Sequence, residues 1–249
     1  WNKALRPYFQ FTYGSKLCII MLGLFFYYEL GVIRMLQKVK MFFIRPAELF
    51  RGYVEEPAWK LKLLIISIIS GLFTYGSKIM GKDLMAEMLE EKAASMPPEQ
   101  AEAVRASIPF MNSPMMNIVS AIGGVATIVV VILLVSLVYK AFIKAFKGDI
   151  KYKQVLSVYT LAYMATAIGM VAKLAYMYFT GNLLYLNMQP TIKDALFNNL
   201  DPFIIWQAIL MVFGISVVSG ISEKKSTIIV VCMWLVSLSI SLGSMMLTK

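Results

Sequence analysis

Five long apolar blocks, at about 61–79, 116–138, 155–179, 203–221 and 227–247, organise the chain. Each is nearly free of charge and is bounded by polar stretches. A helix rises 1.5 Å per residue, so about 18 or more such residues are enough to cross the hydrocarbon of a bilayer. The pattern predicts an all-α, polytopic transmembrane helix bundle of five spans. A sixth block, 17–33, sits at the short limit and contains Glu29, a costly charge in a bilayer. It leaves a further span near the N-terminus open.

Ahead of the first block the periodicity changes to that of short amphipathic helices. Met35, Leu36, Val39, Phe42 and Phe43 fall on one helical face, with Gln37, Lys38 and Lys40 opposite. Pro46 suits the first turn of a second helix, in which Leu49, Phe50, Tyr53 and Val54 share a face and which Pro57 ends. A basic, aromatic segment of this kind lies on a membrane surface or packs beneath its own bundle, and the pattern permits both. Trp59, Lys60 and Lys62 have the character of interface anchors, the lysines reaching outward to headgroups. The chain thus divides into 1–34, an N-terminal extension or additional hydrophobic segment; 35–60, an amphipathic lead-in; and 61–249, the five-span domain. The hexapeptide Phe-Thr-Tyr-Gly-Ser-Lys at Phe11–Lys16 recurs at Phe73–Lys78, and the sequence supplies no reason for it. One expectation is that the native chain starts at Met35.

The polar stretches alternate in charge. Basic residues gather before the first span (Arg34, Lys38, Lys40, Arg45, Arg51, Lys60, Lys62), between spans two and three (Lys140, Lys144, Lys147, Lys151, Lys153) and in the last turn (Lys224, Lys225). The stretch after the first span is acidic: Asp83, Glu87, Glu90, Glu91, Glu99 and Glu102 outnumber Lys82, Lys92 and Arg105. Leu84, Met85, Met88 and Leu89 predict an amphipathic helix there, and Pro97-Pro98-Glu99-Gln100 predicts the start of another. Asp201-Pro202 predicts a capped helix start. The turn Ser222-Glu-Lys-Lys-Ser226 is short enough to make the last two spans antiparallel neighbours. With five spans all three basic segments share a side, which by the positive-inside rule is cytoplasmic, so the C-terminus is exoplasmic.

Composition narrows the function. The chain is 59% hydrophobic with a net charge of +10. In so apolar a sequence the basic excess marks span flanks rather than nucleic acid, for which no aromatic-basic groove pattern exists. There is no histidine, and Cys18 and Cys232 lie isolated in apolar stretches. No catalytic, phosphate-binding or metal-ligand motif occurs. The expectation is a non-enzyme with no cofactor and no metal. Lys173, inside the third block, is the candidate intramembrane polar site. It either snorkels to the interface, makes a structural bond between helices, or serves transport. Small residues four apart (Ser120 and Gly124, Ala165 and Gly169, Ser216 and Gly220, Ser239 and Gly243) favour close helix packing.

The lead-in RPAELFRGYVEEPAWKLKL and the closing hairpin LDPFIIWQAILMVFGISVVSGISEKKSTIIVVCMWLV resemble the Yip family of membrane proteins, named for interaction with Ypt/Rab GTPases. The similarity runs over Met35–Leu247. The short region before the first span and the missing Asp-Leu-Tyr-Gly-Pro motif set the chain apart from eukaryotic members. They are the marks of a prokaryotic one, in a bacterial or archaeal cytoplasmic membrane. The resemblance implies a non-catalytic scaffold or assembly factor whose partners are the lipid bilayer and other membrane proteins, a transporter complex among them. Self-association is left open. On this reading Leu49, Phe50, Arg51, Tyr53 and Trp59 form the partner- or membrane-facing surface. The alternative is a subunit of a small-molecule or lipid transporter, with Lys173 on its path.

Overall fold

The computed structural model describes residues 40–183 and 199–247, with side chains to 243 in the last helix. It separates into two units, 1–49 and 50–249. The possible sixth span, the assigned start at Met35 and the first copy of the repeated hexapeptide all lie outside the described residues.

In the first unit a helical turn over 40–44 breaks at Arg45, and α1 (Pro46–Arg51) begins there and runs across the boundary. Pro46 fits the first helical position because its missing N–H would have no partner there anyway. Phe42 and Phe43 meet edge to face at 5.1 Å, yet Phe42 is buried and Phe43 exposed. The single apolar face expected over 35–43 is therefore split at its described end. The Arg45–Glu48 pair, 3.4 Å apart, is exposed and contributes little.

In the second unit α1 ends at Arg51, not at Pro57 as expected; Gly52 follows it into a run of turns. Then come α2 (Lys60–Met80), α3 (Lys82–Ala94), α4 (Pro98–Met111), α5 (Pro114–Ala145), α6 (Tyr152–Thr180), α7 (Pro202–Ser219) and α8 (Glu223–Leu247). Among the described residues all regular structure is helical. Five helices, α2 and α5 to α8, are long and apolar enough to cross a membrane. The sequence pattern placed all five spans.

Their ends differ from the apolar blocks for a physical reason. The block 116–138 stops at the first lysine, but α5 continues to Ala145, carrying Lys140 and Lys144 within the helix. Backbone hydrogen bonding is indifferent to that change of polarity, and Ile143 is fully buried on the same turn. The helix ends at Phe146, and Lys147 takes a left-handed φ of 63°. Gly148 N–H then donates to Ile143 C=O at 2.9 Å, closing a Schellman-type cap. The last turn is likewise shorter than expected. Gly220, at φ 71°, ends α7 and α8 begins at Glu223.

The most enclosed helix is α6: 61% of its most apolar window is buried, against 11% for α5 and 17% for α2. It packs on α2, α5 and α7, while α8 packs on α7 and only sparsely on α5. Glycines bring the helices together. A Cβ at Gly76 would stand 2.7 Å from Leu174, and one at Gly124 would stand 2.5 Å from Thr74 Oγ1. At Gly169 it would meet the Phe203 ring at 2.7 Å. Of the four small-residue pairs, those of α5 (Ser120, Gly124) and α6 (Ala165, Gly169) join helices. Ser216 and Gly220 instead form the end of α7, where Ser216 Oγ donates to Ile221 C=O at 2.9 Å. Gly243 has open space around it.

The acidic stretch forms the expected helical pair. Pro98 opens α4, and Arg105 donates to Glu90 of α3 at 3.0 Å, on the exposed side. At the opposite end the loop after α5, the turn before α8 and the stretch around Val54 come together. A Cβ at Gly148 would lie 3.0 Å from Ile221, so the loop after α5 touches the turn before α8. Gln154, near the start of α6, accepts from Lys151 N–H at 2.8 Å and donates to Val54 C=O at 2.7 Å. That one amide both caps α6 and fastens the lead-in to it.

Candidate functional site

A cavity of about 480 Å³ lies between α5, α6, α7 and α8. Valine, isoleucine and methionine side chains make about half of its wall, and the polar groups come from specific turns. Tyr139 of α5 is followed on α6 by Tyr159 and Tyr163. Tyr139 and Tyr159 have ring centroids 5.8 Å apart, and Tyr159 and Tyr163 6.0 Å, both tilted. Tyr159 and Tyr163 sit four apart, one helical turn, and so stack along the same face. Further along, Thr166 Oγ1 donates to Gln207 Oε1 across the α6–α7 contact. Asn199, Trp234, Ser237 and Ser241 complete the polar lining, and Trp234 Nε1 donates to Asn199 C=O at 3.2 Å. Among the described residues the wall contains no carboxylate, lysine or arginine.

Two lysines within spans are held by partners on neighbouring helices. Lys173 of α6 forms an ion pair with Asp201, which is buried. Asp201 also caps α7, accepting from Phe203 N–H at 2.8 Å as the Asp-Pro signal predicted. Of the three roles left open for Lys173, the geometry matches the structural bond between helices. The ammonium and the buried carboxylate satisfy each other between α6 and the start of α7. Lys78 of α2 donates to Ser120 Oγ at 2.7 Å and Met116 C=O at 3.2 Å, both on α5. The second copy of the hexapeptide, Phe73–Lys78, thus carries Thr74, Gly76 and Lys78, all of which meet neighbouring helices.

The residues expected to form a partner- or membrane-facing surface separate. Arg51 is exposed, Leu49 of the first unit is half-buried, and Tyr53 and Trp59 are half-buried. Phe50 is fully enclosed, and this corrects its place in that surface. A Cβ at Gly214 would stand 2.9 Å from the Phe50 ring and would also strike Val158. The absent side chain of Gly214 opens the slot that Phe50 fills. Phe50 and Tyr53 meet edge to face at 6.1 Å, and Lys62 Nζ lies 4.5 Å from the centre of the Tyr53 ring. Burial pushes the Tyr53 phenol up to about 12, so it remains neutral at physiological pH.

Sequence reasoning missed Asp201 as the partner of Lys173, along with Lys78, Gln154, Thr166, Gln207 and the tyrosine ladder. Gln207 had a signal that could have found it: a lone amide inside an apolar block needs an internal partner. Tyrosines at 159 and 163 showed helical spacing but no more than that.

Among the described residues no cluster of histidine, cysteine, aspartate or glutamate could hold a metal ion. No curated protein and no solved structure gives a significant match to the chain. A family model, the Yip1 domain, matches residues 40–245. That range takes in the end of the lead-in, all five spans and the whole cavity wall, and the bundle just described is the all-α polytopic fold expected from the resemblance. The chain belongs to the Yip family of non-enzymatic integral membrane proteins.

Proposed function

We infer that the protein organises or assembles other membrane proteins, presenting its outer helix faces to partner spans. One observation carries this reading. Most glycines in the bundle are consumed by contacts between the protein's own helices, but Gly123 of α5 faces open space. Around it Val119, Ile122, Ala126, Thr127 and Val130 are exposed. In a bilayer the apolar side chains alone would satisfy lipid. A glycine flanked by Ala126 and Thr127 gives a second helix a shallow groove for close approach. By the charge rule the basic end is cytoplasmic, which places the lead-in with Arg51, Tyr53 and Trp59 on that side and the α3–α4 pair outside.

The permease reading drew on Lys173, and it loses that feature. Lys173 is committed to Asp201 and does not line the cavity. The organiser reading is tested by placing a photo-crosslinking amino acid at position 123 in native membranes, with position 72 on the exposed face of α2 as comparison. Discrete protein adducts from position 123 are expected. Lipid adducts alone, at 123 and at every other outward position of α5 and α8, would rule the reading out.

A further inference from the structure

The mouth of the cavity is flanked by Val131 and Val138 on α5 and by Val236, Ser237 and Ile240 on α8, all exposed. These two helices barely touch. Val131 lies about 20 Å of helix from the end of α5, and Ser237 about 20 Å from the start of α8. The opening is therefore at mid-depth of two spans, where the surrounding medium is hydrocarbon and not water. Its interior is different. Gln207 supplies an amide held by Thr166. Tyr139, 6% exposed, lines the same space, its ring centroid 5.8 Å from that of Tyr159. A tyrosine hydroxyl and an amide thus line a space whose described mouth, between α5 and α8, opens at mid-depth of two spans.

We propose that this cavity binds a neutral lipid bearing a hydroxyl or carbonyl oxygen. The oxygen meets Tyr139 and Gln207, and the acyl chain lies along the valine and isoleucine wall towards the mouth. Neutrality follows from the lining: with no lysine or arginine in the wall among the described residues, a phosphate or carboxylate would be desolvated without a counter-charge. The cavity's volume of about 480 Å³ falls in the usual range for small-molecule sites, roughly 300–1,000 Å³. The proposal is independent of the organiser reading, which concerns the outward face of α5.

The test uses the purified full chain in phosphatidylcholine vesicles with a diazirine-bearing hexadecanol, and a diazirine-bearing phosphatidic acid as the anionic comparison. Adducts are mapped by mass spectrometry. Hexadecanol adducts are expected within 131–139, 159–166 and 230–241, and excess unlabelled hexadecanol should remove them. Ser237→Trp, which fills the mouth from an exposed position, should cut them at least five-fold. The double variant Tyr139→Phe/Gln207→Leu, which keeps the volume and removes the polar groups, should cut them at least three-fold at an unchanged melting temperature. If Ser237→Trp does not fold, the double variant decides. Label spread evenly over outward faces, label indifferent to the variants, equal labelling by the phosphatidic acid probe, or cross-linking of a second copy at these peptides would each overturn the proposal.

Discussion

At the scale of single residues, the side chains that matter most are those whose partner lies far away in sequence. Phe50 fills a slot that exists because residue 214 has no side chain. Phe50→Ala should lower stability by about 3 kcal/mol, the usual cost of deleting a buried ring. Thermal unfolding in detergent, followed by size-exclusion chromatography, measures this. A change under a few tenths of a kcal/mol would return Phe50 to the partner- or membrane-facing surface expected for it. Lys173 and Asp201 form a second such pair. Lys173→Met should cost about 3 kcal/mol by leaving a buried carboxylate unpaired. Asp201→Asn added to it should recover most of the loss, since asparagine still caps α7. Equal stability of the single and double variants would contradict the pairing. Both partnerships were hidden from sequence reasoning for the same reason. Periodicity gives the face a residue occupies on its own helix, not what the topology sets against that face. Lys173 was found because a charge in an apolar block stands out, whereas Asp201 was read only as a cap.

Helices themselves were largely legible, because the backbone in a bilayer must satisfy its own hydrogen bonds and a long apolar block has little alternative to a helix. The caps at Asp201-Pro202 and Pro98 were equally readable. Helix ends without a cap signal were not. The lysines of α5 were assigned to a loop because they are polar, yet Lys140 and Lys144 are helical. The helix ends instead at Ala145 with Phe146 as its cap, and Lys147, a non-glycine residue with φ 63°, turns the chain away. Lys147→Gly should therefore stabilise the protein by about 1 kcal/mol, the cost of the left-handed conformation for a side chain. A loss of stability on that substitution would contradict the cap geometry. Adjacent glycines in α5 give a second test of element packing. Gly124 faces Thr74 of α2 and Gly123 faces open space. Gly124→Val should cost about 1–3 kcal/mol by wedging α2 from α5, while Gly123→Val should stay within about 0.5 kcal/mol. Similar effects at both positions would mean that the register of α5 is wrong.

For the molecule as a whole, the five spans, the alternating charge and the family agree. The cavity was the part that could not be read from the sequence. Its wall draws on four helices, each contributing residues that look like ordinary apolar packing along its own length. Only the three-dimensional arrangement shows that Tyr139, Thr166 and Gln207 share one space, or that α8 stands off from α5. The exposed strip around Gly123 was obscured in a similar way: the sequence showed glycines in α5 without showing that one faces inward and its neighbour outward. That contrast allows the organiser role to be tested without disturbing the fold. The decisive measurement is affinity capture of the tagged protein from gently solubilised native membranes, quantified by mass spectrometry, for the wild type and for Gly123→Leu. The account predicts a membrane protein recovered in stoichiometric amount with the wild type and depleted at least several-fold with Gly123→Leu, at equal expression and melting temperature. Recovery of the chain without any stoichiometric partner, or of the same partner in the same amount with both proteins, would contradict it.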